Sequence, residues 1–478
     1  MTHIPILRAG KPYYSLSTAR VPHFQTGEAV AHVSQANRGI IAKDFMQARR
    51  NQHILQALSV DALLAICQKA ADLYEKADLP LGEAMQSPEA YIHSLSSTTG
   101  MPESLCRKNM AKITLVLREM RAVLGGLTRD LDLGLLDSGW SRTNGATLSF
   151  ASQANVLGAI LPSNSPGVHG LWLPAVPLKV PLVLRPGSQE PWTPYRIAQA
   201  LLRAGLPPEA LSFYPSDYSG ATEILLRSGR SMLFGDQKTV QPWRHDHRVQ
   251  IHGPGWSKVI IGTDKINDWE QYIDVIVTSA VANGGRSCLN ASGLWVPKYG
   301  REIAEAVAKQ MAQIEARAMD DPHAEIAAFA NHQFARMVSD SIDAQLAGGG
   351  ALDVTEKIRG SSRFVEAFDT AFLLPTTVFC KNTGHSLAQS EYLFPFISVV
   401  EAPQQDMLAE MGNTLVATAI TEDADFIRDL FAAPNVDRLN IGPIPTMHIS
   451  WDQPHEGNLF EHLYRQRSLQ ISKEYTVA

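Results

Sequence analysis

At 478 residues, with 45% hydrophobic and 19% charged, the chain exceeds what one hydrophobic core usually serves, and two or three domains of globular type are expected. A formal net charge of -6 offers no broad basic surface, so nucleic acid is not an expected partner. The opening MTHIPILRAGKPYYSLS lacks the apolar run of a signal peptide, and the most apolar segment, LWLPAVPLKVPLVL, is broken by prolines and a lysine before it could cross a bilayer, so a cytoplasmic protein without a membrane span is expected.

Over residues 21–132 apolar residues recur three and four apart, as in SVDALLAICQKAADLYEK and RKNMAKITLVLREMRAVLGG, which predicts a helical layer. Residues 135–150, LLDSGWSRTNGATLSF, read as a hairpin. From Gln153 the rhythm changes: the short apolar runs ANVLGAILP, VPLVLRPG, LSFYPSD, SMLFGD and RVQIHGP alternate with the helical segments PYRIAQALLRAG and GATEILLRSG. That alternation predicts a parallel sheet with crossover helices. A second such set follows Cys288, from SGLWVPK and REIAEAVAKQMAQIEARA through AFLLPTTVF, FPFISVVEAP, LVATAIT and DADFIRDLF to RLNIG. Two α/β domains joined near Trp256 are therefore expected, and GGGA at Gly348 reads as a helix C-terminus and turn.

The four cysteines, Cys67, Cys106, Cys288 and Cys380, include no CxxC pair and no Cys/His spacing suited to zinc, so neither a disulfide framework nor a metal site is expected. Cys67 and Cys106 fall in helix-like stretches and Cys380 ends a strand-like run, where free cysteine behaves as a small hydrophobe. Cys288, in NGGRSCLNAS, has glycines beside it; a buried spacer is the bland reading. The HDH cluster at 245–247 reads as a solvated loop rather than a metal site. Open parallel sheets bind ligands at the carboxyl ends of their strands, which brings forward Asn164 in SNSPG, Arg185 and Ser188 in RPGS, Asp236 after SMLFG, and His252 before GPG. No GxGxxG follows any strand, so a nucleotide would bind in another way.

The order LPSNSPG, VPLVLRPGSQEPWTPYRIAQALLRAGLPPEALSFYPSD, NGGRSCLNAS, SEYLFPFISVV resembles the aldehyde dehydrogenase superfamily over most of the chain. The resemblance implies an α/β fold of two Rossmann-like parallel-sheet domains with an oligomerisation hairpin arm. Residues 1–256 would be the helical layer and NAD(P)-binding domain, interrupted by the arm at 135–150. Residues 257–443 would be the catalytic domain carrying Cys288, and 444–478 would return to the cofactor domain and an oligomer interface. Cys288 matches the nucleophile, whose thiolate attacks a carbonyl to give a covalent thiohemiacetal or thioester. Gly284 and Gly285 would let the backbone come close to substrate and cofactor. Asn164 matches the asparagine whose amide stabilises the developing oxyanion together with the Cys288 backbone N–H, against a bland reading as a turn cap before Pro166. Glu391 matches the glutamate on the nicotinamide ribose, against an exposed loop carboxylate. Arg185 stands where the family has a lysine on the adenosine ribose, with Ser163, Ser188 and Gly235 completing the expected cofactor contacts.

The departures concern the chemistry. Where the family has a glutamate that activates water to hydrolyse the acyl-enzyme, RVQIHGPGWSK places His252. Three readings follow: the acyl group passes to a thiol such as coenzyme A, or His252 is itself the base, or His252 merely caps the strand. The GPG and Trp256 favour the thiol reading, resembling acylating aldehyde dehydrogenases and acyl-CoA reductases. Asp236 puts negative charge where pyrophosphate would approach, offset by Lys238. Ser188 stands in place of the acidic residue that would repel a ribose phosphate, and Arg185 would pair with that phosphate in a bidentate way, so NADP is expected to serve at least as well as NAD. The expected activity is NAD(P)-dependent interconversion of an aldehyde and an acyl thioester at Cys288, in a homodimer or homotetramer. The alternatives are a hydrolytic aldehyde dehydrogenase and a catalytically silent relative, the last disfavoured by the presence of both Cys288 and Asn164.

Overall fold

The computed structural model describes residues 2–143, 145–453 and 457–472. They form two seven-stranded sheets, each covered by helices, and three smaller sheets of two or three strands that flank them, together with one two-stranded hairpin near the amino end. In the first large sheet the order runs Val249–His252, Arg230–Phe234, Leu157–Ile160, Leu182–Arg185, Leu211–Phe213, all parallel. Ile6–Arg8 and Lys11–Tyr13 then extend it antiparallel. Leu157–Ile160 is buried at every position, as a parallel strand covered on both faces must be. From this strand the chain moves first to one side, to Leu182–Arg185, and later to the other, to Arg230–Phe234. The reversal leaves a crevice beyond the carboxyl ends, the place where open α/β sheets bind ligands.

The second sheet has the order Ala351–Asp353, Thr376–Cys380, Phe396–Glu401, Ala291–Val296, Ser257–Ile261, Thr414–Ile420, Val436–Ile441, and is parallel apart from its first edge strand. The first sheet gives way to it within the turn between His252 and Ser257. The expected mixed fold with Rossmann-like parallel sheets is what the chain adopts.

The helical layer forms for local reasons that the helix Val60–Lys76 illustrates. Ser59 caps it by accepting from the Ala62 amide, Asp61 sits in its first turn and Lys76 in its last, each charge suiting the helix dipole. Its buried stripe of Leu63, Leu64, Cys67, Ala70, Ala71 and Tyr74 packs on the helices Glu103–Arg118 and Trp192–Ala204.

Two expectations need correction. The stretch read as helical from residue 21 begins with strands: Thr18–Pro22 and Ala29–Ser34 pair with each other and with Thr2–Ile4, and the first helix starts at Arg38. Part of that pairing lies nearly thirty residues away in sequence, beyond a local window. The hairpin expected over 135–150 begins later, with strands Trp140–Thr143 and Ala146–Ser152, and Tyr464–Arg467 adds a third strand to it. Leu135–Ser138 is a helical turn. Adjacent leucines point to opposite faces of a strand, whereas one helical turn buries both Leu135 and Leu136.

Candidate active site

Cys288 follows the helix Ile273–Val281 and the turn Ala282–Gly285, and it is partly exposed where Cys67, Cys106 and Cys380 are buried. Burial pushes the Cys67 and Cys380 thiols up to about 12 and Cys106 further up, which leaves those three inert. Three successive residues before the nucleophile, Asn283, Gly284 and Gly285, have left-handed backbones with φ of 55, 67 and 70°. At Gly285 a side chain is excluded outright, since a Cβ there would lie 2.3 Å from Pro395 N and 2.4 Å from Phe394 C. The close approach brings the segment carrying Glu391 down onto the nucleophile loop.

That loop is held from all sides. Asn283 Oδ1 accepts from Asn109 Nδ2 at 2.7 Å, and its amide donates to Ser165 Oγ at 3.2 Å. The buried Arg286 donates to the carbonyl oxygens of Thr99 and Ala328 at 2.8 and 2.6 Å. Asn290 accepts from the Ser287 amide at 2.9 Å and donates to the carbonyl of Ala282 at 2.9 Å. The Cys288 carbonyl takes a hydrogen bond from Ser257 Oγ at 2.8 Å, and Gly255 packs so closely on it that a Cβ would sit 1.9 Å from that oxygen.

Asn164 follows the strand Leu157–Ile160 and reaches across to this loop, donating its amide to the Arg286 carbonyl at 2.9 Å. One N–H of the amide is thereby engaged with the nucleophile loop, and the group has a second. His252 ends its strand 7% exposed, its ring stacked on Phe234 with centroids 4.3 Å apart. Glu391 as a whole is partly exposed, but its carboxyl is enclosed and accepts from the backbone amides of Trp256 and Gly255. Burial pushes this carboxyl up to about 7, against the opposing pull of the two amides and of Lys258. Lys258, 1% exposed, donates to the Trp256 carbonyl at 2.7 Å and Thr414 Oγ1 at 3.2 Å, and burial brings it down to about 8.

A cavity of about 450 Å³ joins these groups: Asn164, Gly235, Asp236, His252, Cys288 and Glu391 all line it, with Val168 and Trp256. Among the expected cofactor residues, Gly235 alone shares the cavity with Glu391; Arg185 ends the strand Leu182–Arg185, and Ser163 and Ser188 lie on the loops after Leu157–Ile160 and Leu182–Arg185. Ser163 Oγ accepts from the Gln189 amide at 3.3 Å, Ser188 is exposed, and Arg185 turns its guanidinium to the Ser216 carbonyl at 2.9 and 3.2 Å. Small polar side chains along this carboxyl edge fit an extended ribose-bearing ligand. Asp236 suits an anion less well: its carboxylate takes the amide and hydroxyl of Thr239 at 2.8 and 2.6 Å, and those bonds hold it below the usual carboxylate range. The HDH stretch is a turn in which Asp246 pairs with Arg248.

Sequence reasoning missed Lys258 and Asn283. A lysine in the apolar SKVII strand is a legible anomaly, whereas Asn283 gains its role through contacts with Asn109 and Ser165, more than a hundred residues away. It also missed a buried pair behind the site, His169 Nε2 and Glu190 Oε2 at 2.9 Å, in which His169 Nδ1 accepts from the Trp172 indole at 3.1 Å. Since the indole only donates, the His169 proton lies on Nε2 and is donated to Glu190.

The family model described as "Aldehyde dehydrogenase family" matches residues 15–433, which include Asn164, His252, Cys288 and Glu391. A curated relative, geranial dehydrogenase of Castellaniella defragrans, is 23% identical over 339 residues, covering 67% of this chain and 66% of its own length, so the match spans just under two thirds of that protein. Among solved structures, an indole-3-acetaldehyde dehydrogenase of P. syringae in complex with NAD+ and IAA superposes with a TM-score of 0.80 at 17% identity, over 98% of this chain and 96% of that one. A 3,6-anhydro-L-galactose dehydrogenase in complex with NAP gives 0.77 at 14% identity, over 97% and 99%. An aldehyde dehydrogenase of Physcomitrella patens in complex with the reaction product succinate gives 0.77 at 16%, over 98% and 97%. With a family model spanning most of its length and a cysteine, an asparagine and a glutamate meeting in one cavity, the chain belongs to the aldehyde dehydrogenase family.

Proposed function

We propose that this chain oxidises an aldehyde to the carboxylic acid through an acyl-enzyme on Cys288, with NADP accepted at least as well as NAD. The observation that carries the reading is the convergence of Cys288, Asn164 and an enclosed glutamate on one cavity at the switch point of the first sheet. A nicotinamide cofactor, when bound, supplies the hydride acceptor. Ser163, Ser188 and Gly235 would hold it, and Glu391 stands at the inner end.

The chain's own residues do the rest. Cys288 as thiolate adds to the aldehyde carbon, and the second N–H of the Asn164 amide, with the Cys288 backbone N–H, stabilises the oxyanion. Loss of hydride leaves a thioester, and attack by water releases the acid. Release to water is supported by the enclosed carboxyl in the cavity and by the neighbour that carries succinate as its reaction product.

A second cavity, about 90 Å³, is lined by Val116, Val123, Leu127, Leu171, Pro174 and Trp451 with Lys112, Gln250 and Gln453 among them, and it shares the turn Pro166–Leu171 with the first, which that turn lines through Val168. An acyl chain with an apolar end suits it, and apolar aldehydes are the proposed substrate class.

One observation favours a thiol as acyl acceptor instead: a histidine, not a carboxylate, ends the strand Val249–His252. The two are separated by measuring aldehyde-dependent NAD(P)H formation with and without coenzyme A. Full turnover without it, with free acid as product, is expected. A strict requirement for coenzyme A would establish the acylating reaction.

A further inference from the structure

We infer that the buried pair His169–Glu190 positions the oxyanion donor: it fixes the turn that follows Asn164 and so aims the Asn164 amide at the carbonyl attacked by Cys288, an inference that rests on the proposed use of that amide. Both side chains are sealed from solvent, His169 at 0% and Glu190 at 1% exposure. Each of their polar atoms has a partner. His169 donates from Nε2 to Glu190 Oε2 at 2.9 Å and accepts the Trp172 indole proton on Nδ1 at 3.1 Å, while Glu190 Oε1 accepts from the Thr193 amide at 2.7 Å. A carboxylate bonded to the first turn of the helix Trp192–Ala204 also suits that end of the helix dipole.

The pair joins a rigid element to a short one. On the Glu190 side the anchor is the core: the Trp192 indole donates to Thr98 Oγ1 at 2.9 Å, and Thr193 Oγ1 meets the Tyr91 hydroxyl at 2.8 Å. On the His169 side lies the turn Pro166–Leu171, entered through Asn164 and Ser165, where the Val168 amide bonds the Ser165 carbonyl at 3.4 Å. The same two segments meet again at Ser163, whose Oγ accepts from the Gln189 amide at 3.3 Å; a Cβ at Gly187 would lie 2.2 Å from that oxygen. Asn164 is therefore flanked by two ties to one loop, at Ser163 before it and at His169 after it. Between those ties its amide crosses to the Arg286 carbonyl at 2.9 Å.

Stability alone does not account for this arrangement. The attraction within a buried pair roughly offsets its desolvation, and apolar side chains of similar volume fill such a space as stably. What the pair adds is direction. Because the indole only donates, His169 is held in the one tautomer that donates to Glu190, and bonds at both nitrogens fix its ring. An oxyanion donor needs such a brace, since it must be in place before charge develops. Glu190→Gln tests the direction with almost no change in size. A carboxamide offers an acceptor oxygen at one of the two positions, while the Thr193 amide and His169 Nε2–H each require one, and His169 cannot turn its proton away without facing the indole. His169→Gln, by contrast, keeps a donor for Glu190 and an acceptor for Trp172.

Acylation by p-nitrophenyl acetate needs neither nucleotide nor aldehyde: the Cys288 thiolate bonds to the ester carbon, an oxyanion forms and collapses, and the C–O bond breaks to release p-nitrophenolate. Iodoacetamide consumes the same thiolate by displacing iodide, without an oxyanion, and so reports the nucleophile alone; the other three cysteines are buried. Glu190→Gln and His169→Leu should each slow the acylation burst about tenfold and leave alkylation within about twofold of wild type, whereas His169→Gln should acylate within about threefold. Asn164→Ala should slow the burst about a hundredfold, and adding Glu190→Gln to it should cost no more than about twofold further, because the amide through which the pair acts is gone. Losses that multiply in the double variant overturn the inference. So do equal losses in His169→Leu and His169→Gln, alkylation that slows in step with acylation, or a Glu190→Gln enzyme that acylates at the wild-type rate. If Glu190→Gln does not fold, Glu190→Asp, which keeps the charge but falls short by one methylene, goes through the same cycle with the same criteria. Failure of the oxyanion reading shows separately, in an Asn164→Ala enzyme that acylates at the wild-type rate, and takes the inference with it.

Discussion

The two walls of the cavity are built to different standards. On the nucleophile side, side-chain bonds from Asn109, Arg286, Asn290 and Ser257 fix the stretch from Asn283 to Asn290, and every one of them ends on the backbone or on the Asn283 amide. On the nucleotide side, Ser188 is exposed, Arg185 bonds a neighbouring carbonyl, and Asp236 caps its own short helix. The chemistry demands sub-ångström placement of a thiol and an oxyanion donor, whereas an extended ligand spreads its binding over many weaker contacts, so that side tolerates altered side chains. Substitutions on the first wall should therefore remove kcat, and those on the second should shift preference.

The largest effect is expected from Cys288→Ser. A hydroxyl has far less nucleophilic anion at neutral pH than a thiol, so aldehyde-dependent NAD(P)H formation should fall by at least about a thousandfold, with thermal melting and nucleotide binding unchanged. Residual turnover near wild type would place the nucleophile elsewhere. Next comes Asn164→Ala, which removes the amide reaching the Arg286 carbonyl; a loss of about a hundredfold or more in kcat with little change in KM is expected. A loss confined to KM would make the asparagine a substrate contact and break the distinction between the walls.

How much of this was legible in the sequence follows the same division. Asn164 and His252 were found because each stands at the carboxyl end of a strand whose apolar run is readable, Cys288 and Glu391 because the motifs around them resemble a known family, and the structure brings all four to one cavity. The parallel sheets were legible for the same reason. The strands of residues 2–34 were not, since Ile6–Arg8 joins a sheet whose nearest strand begins at Leu211. The seat of Glu391 on the amides of Gly255 and Trp256 spans about 135 residues and depends on a backbone bend, which side-chain patterning does not announce. Lys258 stood in plain view within an apolar strand, but its meaning comes only from the carboxyl beside it.

That buried pair sharpens the comparison through stability. The folded-state pKa of Glu391 is raised to about 7 from 4.5, so the fold disfavours its carboxylate; the cost is fully present above about pH 7 and disappears as pH falls towards 4.5. Glu391→Gln keeps the shape without the charge. It should raise the melting temperature at pH 8 and leave it nearly unchanged at pH 5. A destabilisation at both pH values would mean that the carboxylate is a structural anchor for the bend at Trp256. Lys258 has the opposite sign of charge and a pKa lowered from 10.5 to about 8, so its own cost is present below about pH 8 and is relieved as pH rises towards 10.5. The Glu391 cost therefore changes between about pH 4.5 and 7 and the Lys258 cost between about 8 and 10.5, so between about pH 7 and 8 both are fully present, and the substitution at Glu391 is best compared at pH 8 and pH 5.

The smallest effect is expected on the open wall, at Ser188. Its side chain is exposed on the loop after Leu182–Arg185, and a serine there neither repels nor pairs strongly with a ribose phosphate. Arg185, committed to the Ser216 carbonyl, is the less available phosphate partner, so the proposed tolerance of NADP rests on the missing carboxylate rather than on a new cation. Ser188→Glu should lower kcat/KM for NADP relative to NAD by about tenfold, equivalent to about 1.4 kcal/mol. Because the position is exposed, raising the salt concentration should shrink the shift by screening. A ratio unchanged at low salt would put the adenosine ribose away from this loop, and Ser163 and Ser188 would then lose their proposed part in holding the nucleotide. A shift as large as a hundredfold that persists at high salt would show the reverse, that this wall closes around its ligand as tightly as the other closes around Cys288.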